Sequence, residues 1–411
     1  MNPPQPPHHP THCIACRQPA VRQLADFGPQ PVSHHFLSHP ADSPGRHPLV
    51  LGHCLACGLA QLINPIPPAR LVPHFDWIRY NEPEAHLDSL VDSLTRLPGI
   101  HPGSRILGVT YKEDSTLRRL QERGFTQTSR CDPATDLLIA NPCAGVEFVQ
   151  HHLTPDLVPH LRQRHNTPDL VIVRHIIEHT HNTPAFLQTF RSLVAPNGYV
   201  VFELPDCARG FDLLDYTTFW EDHSLYFVES TFRSTLERHG LGVTAFLRFP
   251  GAYEQCLVAI TQPRTPQPHL PTPALDAELL RTRRFAESFP SRRDAVRRQL
   301  AEWRRLGPIA LFGAGHQAVT FLALFNLADL VDAVIDDHPA KAGRFMPGSA
   351  LPIIPSSDPR ALAARVWLLT TGAESERRIL ERHRPTLANG TLAASIYPTV
   401  PDSIFTPLPQ P

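Results

Sequence analysis

Four cysteines form two spaced pairs, Cys13-x-x-Cys16 and Cys54-x-x-Cys57, and Gly58 directly follows the second. Each pair turns two thiolates toward one point, and two pairs complete the four-sulfur tetrahedron that zinc favours. Gly58 lets the backbone fold beneath the sulfurs. An ion held by four sulfurs has no open position, so its role is structural. A thioredoxin-like redox pair is the competing reading, but neither pair sits in a βαβ pattern. His12 and His53 flank the cysteines and are expected outside the ligand set. A second chemical spacing lies far along the chain. Gly313-Ala314-Gly315-His316-Gln317-Ala318 follows an apolar run, opens a helical pattern and precedes Asp336, which fits the dinucleotide fingerprint with its ribose acid and on its own points to NAD. Lys341, Arg344 and the turn Pro347-Gly348-Ser349 suit either phosphate contact or a solvated loop.

These groups need elements to hold them. The 411 residues suit two or three domains, and 38 basic against 39 acidic residues leave no broad field for nucleic acid or an anionic membrane. A small molecule is the expected partner. No run approaches the roughly 18 apolar residues of a membrane span, and the N-terminus lacks a signal-peptide pattern, so the expected location is the cytoplasm. Residues 1–12, rich in proline and histidine, read as a disordered tail, and 13–75 as the zinc-binding unit. Leu87, Leu90, Val91 and Leu94 mark an amphipathic helix. Strands are expected at 105–110, up to Asp132, at 169–173 and at 199–204, with helices near 117–123 and 186–193 between them. Residues 76–262 therefore read as an α/β domain with a mainly parallel sheet. A proline-rich linker and a charged helix fill 263–306, a second α/β unit spans 307–398, and 399–411 form a loose end.

In this order the segments CIAC with LGHCLACGLAQL, DLVIVRHIIEHTHN followed by APNGYVVFELPD, WEDHSLYF, and ALFGAGHQA with DDHPAKAGRFMPGSALPI resemble one family across nearly the whole chain. These are the SAM-dependent C-methyltransferases that act on nucleotide-linked keto-sugars. The resemblance implies an α/β fold in which a class I methyltransferase Rossmann-like domain stands between a small N-terminal zinc-binding domain and a second Rossmann-like C-terminal domain. It implies S-adenosyl-L-methionine (SAM) and Zn(2+) as cofactors and a nucleotide sugar as substrate.

Within that resemblance the cofactor turn is Gly108-Val109-Thr110-Tyr111-Lys112-Glu113-Asp114-Ser115, with Gly108, Thr110 and Asp114 as contacts and Asp132 as the ribose acid. The turn departs from the family's acidic, multi-glycine pattern at Tyr111 and Lys112. Arg174, His175, Glu178 and His179 are placed beside cofactor and substrate, and NPCAGVE, residues 141–147, beside the adenine, with Gly145 supplying an unusual backbone angle. Trp220-Glu221-Asp222-His223, followed by Tyr226, matches the family's Tyr-His-Glu-His run. A base must remove the proton beside the ketone so that the enolate carbon can take the methyl group. His223, tuned by Asp222 or Glu221, is the expected base because imidazole titrates near neutrality. Tyr80 is the reserve base, in a substrate-side segment with Trp77, Asn81, Glu82 and His86. Two other functions stay open: a binding protein whose methyltransferase fold has lost SAM, favoured by the glycine-poor turn, and an NAD-linked oxidoreductase using GAGHQA.

Overall fold

The computed structural model describes residues 12–43, 45–78, 82, 84–400 and 402–405. Strands β1 (Val21–Pro31), β2 (Arg46–Cys54) and β3 (Ala60–Leu62) form an antiparallel meander. The knuckle of Cys54 to Gly58 is the turn between β2 and β3. Gly58 takes φ 74 and its N–H donates to the Cys54 carbonyl at 2.7 Å, a conformation that glycine adopts without strain.

The central sheet begins with β4 (Arg105–Gly108), β5 (Gln127–Arg130), β6 (Leu170–Arg174) and β7 (Tyr199–Asp206), all parallel. β6 is buried along its whole length, as a strand covered on both faces must be, which explains its uninterrupted Leu-Val-Ile-Val run. The chain then leaves this sheet. β8 (Leu225–Tyr226) pairs antiparallel with β3 and becomes the fourth strand of the first unit, in the order β1-β2-β3-β8. β9 (Leu241–Phe249) and β10 (Gln255–Pro263) return to complete the order β5-β4-β6-β7-β10-β9, with β10 antiparallel to both neighbours. The helix Leu87–Leu94 buries all four residues of its apolar stripe against Ile106, Leu117 and Leu120.

The last unit is an all-parallel sheet of β11 (Ile309–Phe312), β12 (Ala333–Ile335), β13 (Ile353–Ile354), β14 (Val366–Leu369) and β15 (Leu392–Ser395), ordered β13-β12-β11-β14-β15. The helix Leu275–Trp303 leads into it and presents Phe285, Phe289, Val296, Leu300 and Trp303 inward. One apolar cluster runs from the first unit through this helix into the last sheet. The ring of Phe27 lies 4.8 Å from Phe219 and 4.6 Å from Phe289, and Tyr216 lies 4.3 Å from Phe285, so these units share a core. Residues 402–405, within the segment expected to be loose, are packed: Ser403 bridges Ser395, Ile404 is buried, and Arg292 lies over the Phe405 ring.

Candidate active site

The four cysteine sulfurs converge. Cys13 Sγ lies 3.7 Å from Cys57 Sγ, and Cys16 Sγ 3.6 Å from Cys54 Sγ. Zinc–sulfur bonds of about 2.3 Å give tetrahedron edges of about 3.8 Å, whereas a disulfide needs about 2 Å. The donor set therefore fits zinc, and Cys16 alone among the four is only half-buried. His53 turns away, with Nδ1 2.8 Å from the Thr282 hydroxyl.

The turn after β4 closes on its own glutamate. Glu113 is fully buried, and its carboxylate accepts the N–H groups of Val109, Thr110 and Arg174 and the Thr110 hydroxyl. Burial pushes Glu113 up to about 7 against the pull of those donors. Gly108 is required by space: a Cβ there would stand 2.8 Å from Glu113 Cβ. Lys112 is buried and paired with Glu82, the one residue of 79–83 described. Asp114 pairs with Arg130 at 3.2 Å on an exposed helix turn. Asp132 is exposed at the end of β5, with Oδ1 accepting the Thr135 N–H at 2.8 Å.

Arg174 and His175, expected against the cofactor, instead belong to a buried charge network. Arg174 holds Glu203 through two bonds of 2.9 Å, and His175 Nε2 and His86 Nε2 each lie 3.1 Å from the same carboxylate. Burial pushes the His175 imidazole down, but Glu82, Glu178 and Glu203 outweigh it and hold the group well above its usual value, so it carries charge. His175 also takes φ 49, a left-handed backbone that a residue without glycine's freedom adopts at a cost.

The run 220–223 is folded by β8. Tyr226 lies on that strand, and its hydroxyl donates to the Trp220 carbonyl at 2.6 Å while accepting the Trp220 N–H at 3.1 Å. Glu221 points to the first unit and accepts the Ser33 N–H at 2.6 Å. The Asp222 carbonyl, rather than its carboxylate, accepts from His179 Nδ1 at 3.0 Å. That bond fixes the His179 tautomer and leaves Nε2 as the lone-pair atom. The His223 ring meets His179 edge-on at 4.6 Å and Trp220 at 4.5 Å. The expected tuning of His223 by Asp222 or Glu221 is thus replaced by contact with a second imidazole. Burial pushes both rings down, with the neighbouring imidazole adding to the effect on His223; His179 falls to about 4 and His223 well below its ordinary value. Both are neutral at pH 7, where the sequence led us to expect titration near neutrality. Tyr80 and Asn81 lie outside the described residues.

Residues 82–245, which hold these side chains, match the family described as methyltransferase domain, and residues 277–396 match the C-methyltransferase C-terminal domain. The two matches stand in the order that the fold itself presents. The chain is a SAM-dependent methyltransferase. This methyltransferase is 24% identical over 359 residues to the C-methyltransferase NovU of Streptomyces niveus, covering 83% of this chain and 84% of that protein. Among solved structures, magnesium protoporphyrin IX methyltransferase from Synechocystis PCC 6803 with bound SAH aligns at 13% identity and TM-score 0.30, over 44% of this chain and 83% of the other. An O-methyltransferase family protein from Burkholderia thailandensis aligns at 11% identity and TM-score 0.28, over 48% and 61%. No helix among the described residues of the methyltransferase is long and apolar enough to cross a membrane.

In the C-terminal unit of the methyltransferase, a cavity of about 290 Å³ lies over Gly313, Gly315 and Gln317, walled by Phe36, Trp77 and Lys341. Asp336, the acid of the dinucleotide fingerprint, is taken up by the Ala314 and His338 N–H groups and by Lys341 Nζ at 2.9 Å. Arg344 stacks on Phe75 at 4.1 Å, and the Gly348 carbonyl accepts from Arg46, so the turn expected to meet phosphate packs on the first unit instead. Gly145 has extended backbone, φ −91, rather than an unusual angle; a Cβ would meet the Glu147 carboxylate at 2.4 Å. Sequence reading missed Glu113, Glu203 and Ser33. Of these only Glu203 carried a signal: an acid placed within the otherwise apolar strand β7 must find a buried partner.

Proposed function

We propose that this methyltransferase moves a methyl group from SAM to the carbon beside the ketone of a nucleotide-linked sugar, with His223 taking the proton. The observation that carries the reading is the pair of buried neutral imidazoles, His179 and His223, held edge-on at 4.6 Å beside the carboxyl end of β6. A neutral imidazole can accept a proton, and burial excludes the water that would quench an enolate. SAM supplies the electrophilic methyl group. Glu147, Glu221 and Asp222, all buried, supply carboxyl oxygens that suit a sulfonium as dipoles, since burial pushes all three carboxyls up, Glu147 to about 7, toward the neutral form. The Gly313–Gln317 cavity, with Trp77 for stacking and Lys341 for charge, suits the nucleotide end of the substrate. Cys13, Cys16, Cys54 and Cys57 hold a structural zinc ion, and Asp132 is the ribose contact.

Calorimetric titration with SAM, its demethylated product and NAD, each separately, tests the cofactor. Heat with the two sulfur ligands is expected, and binding of NAD alone would overturn the reading. His223→Ala should abolish methyl transfer with SAM affinity intact; full activity would place the base elsewhere.

A further inference from the structure

Three described residues in the crevice, Glu178, His179 and His223, bring one carboxylate oxygen and two ring nitrogens within 4.8 Å of one another, all buried. We propose that these three side chains bind a divalent transition-metal ion of zinc or ferrous type, separate from the four-cysteine site. Two imidazoles and one carboxylate are a recurrent donor set for such ions and leave a position open. Metal–ligand bonds of about 2.0–2.2 Å require the three donors to close by on the order of 1 Å, within the reach of side-chain rotation.

Two observations set this trio apart from the other clusters of ligand type. Glu178 Oε2 is buried with no hydrogen-bond partner, and so is Asp222 Oδ1 beside it. By contrast, the carboxylate of the His86, Glu203 and Cys256 group is neutralised by Arg174, and that of the Cys131, Asp136 and His165 group by Arg164. An orphaned buried carboxylate oxygen costs about 1–3 kcal/mol or more unless something cationic meets it. His179 is also prepared as a ligand, since its Nδ1–H is committed to the Asp222 carbonyl and Nε2 is left free, an arrangement in which an outer partner orients a metal-binding imidazole. Lys112 and His175 bring positive charge near the trio, with His175 Nδ1 3.6 Å from Glu178 Oε1. Glu82, paired with Lys112 and 3.9 Å from His175 Nδ1, offsets part of that charge.

The ion would hold the lone pair with which His223 takes the proton, so a loaded site is an inhibited state of the enzyme, a consequence that rests on the reading above, whereas the binding itself does not. The test loads the full-length chain with cobalt(II) in place of its native metal, counts cobalt per chain and records the visible spectrum. Wild type should hold about two ions, one with thiolate charge-transfer bands and one without. Glu178→Gln, which is isosteric, and His179→Ala should each retain about one, with the thiolate bands unchanged as a check that the first unit is folded. A single ion in wild type with a purely thiolate spectrum, or a second ion retained unchanged in Glu178→Gln, overturns the proposal. Methyl transfer by a protein holding only the thiolate-bound ion would reject the second site and leave the proposed reaction standing. A second ion in a protein that transfers no methyl group even after that ion is removed would do the reverse.

Discussion

Replacing Glu203 by glutamine preserves the shape of the side chain and removes its charge. The native carboxylate is 0% exposed and receives Arg174 through two bonds as well as His175 and His86. Glutamine turns one accepting oxygen into an N–H2 group, so Arg174 and His175 face a donor and stay buried without compensation. Breaking a buried pair from one side costs about 3–5 kcal/mol. With a urea slope of about 2 kcal/mol/M, the unfolding midpoint falls by about 2 M. The pH dependence gives a second handle. Burial pushes the Glu203 carboxyl up, but Arg174 and His175 outweigh it and hold it well below its ordinary value of 4.5; its stabilisation is present above that value and lost as pH falls through the depressed one. His175 is held well above its ordinary 6.5, so its share is fully present below 6.5 and lost as pH rises through the raised value. The gap between wild type and Glu203→Gln in urea unfolding, followed by circular dichroism, is therefore widest between pH 4.5 and 6.5. Adding Arg174→Met should recover part of the loss, since an apolar replacement removes the stranded charge. A loss below about 1 kcal/mol, or a gap that ignores pH, would refute the reasoning.

Tyr226→Phe removes the hydroxyl that holds both ends of the Trp220 peptide, and should cost about 1–3 kcal/mol while methyl transfer falls and SAM affinity, read by calorimetry, persists. Cys57→Ser should lose stoichiometric zinc by elemental analysis and lower the melting temperature by about 2–4 °C for each kcal/mol forfeited. Gly145→Ala, whose Cβ would press on the buried Glu147 carboxylate at 2.4 Å, and Gly58→Ala, at φ 74 with Leu275 Cδ1 at 3.0 Å, should each cost about 1–2 kcal/mol or more, read from urea midpoints.

The convergence of the four cysteines, the amphipathic stripe of Leu87 to Leu94 and the parallel strands were legible because each depends on local spacing or on period. The helix Leu275–Trp303 was legible as a helix, but its role as a shared core was not, since Phe285 and Phe289 show their partners Tyr216 and Phe27 only in three dimensions. The site divides in the same way. The motif singled out the run 220–223, whereas the contact of His223 with His179 and the diversion of Glu221 to Ser33 depend on residues far apart in the chain. The turn after β4 misled for a different reason. Its departure from a glycine-rich pattern was visible, but not that Glu113 would satisfy the loop's own amides.

The pairing of β8 with β3 also orders events in time. During synthesis the four cysteines emerge well before Leu225 and Tyr226, so the first unit can draw them together while the far edge of its sheet is still bare. That edge is closed only when the central sheet is largely made and the run 220–223 swings across to it. The first unit thus serves as a template against which the run 220–223 is set last, and a chain whose four cysteines were not drawn together would reach that moment with no edge to receive it.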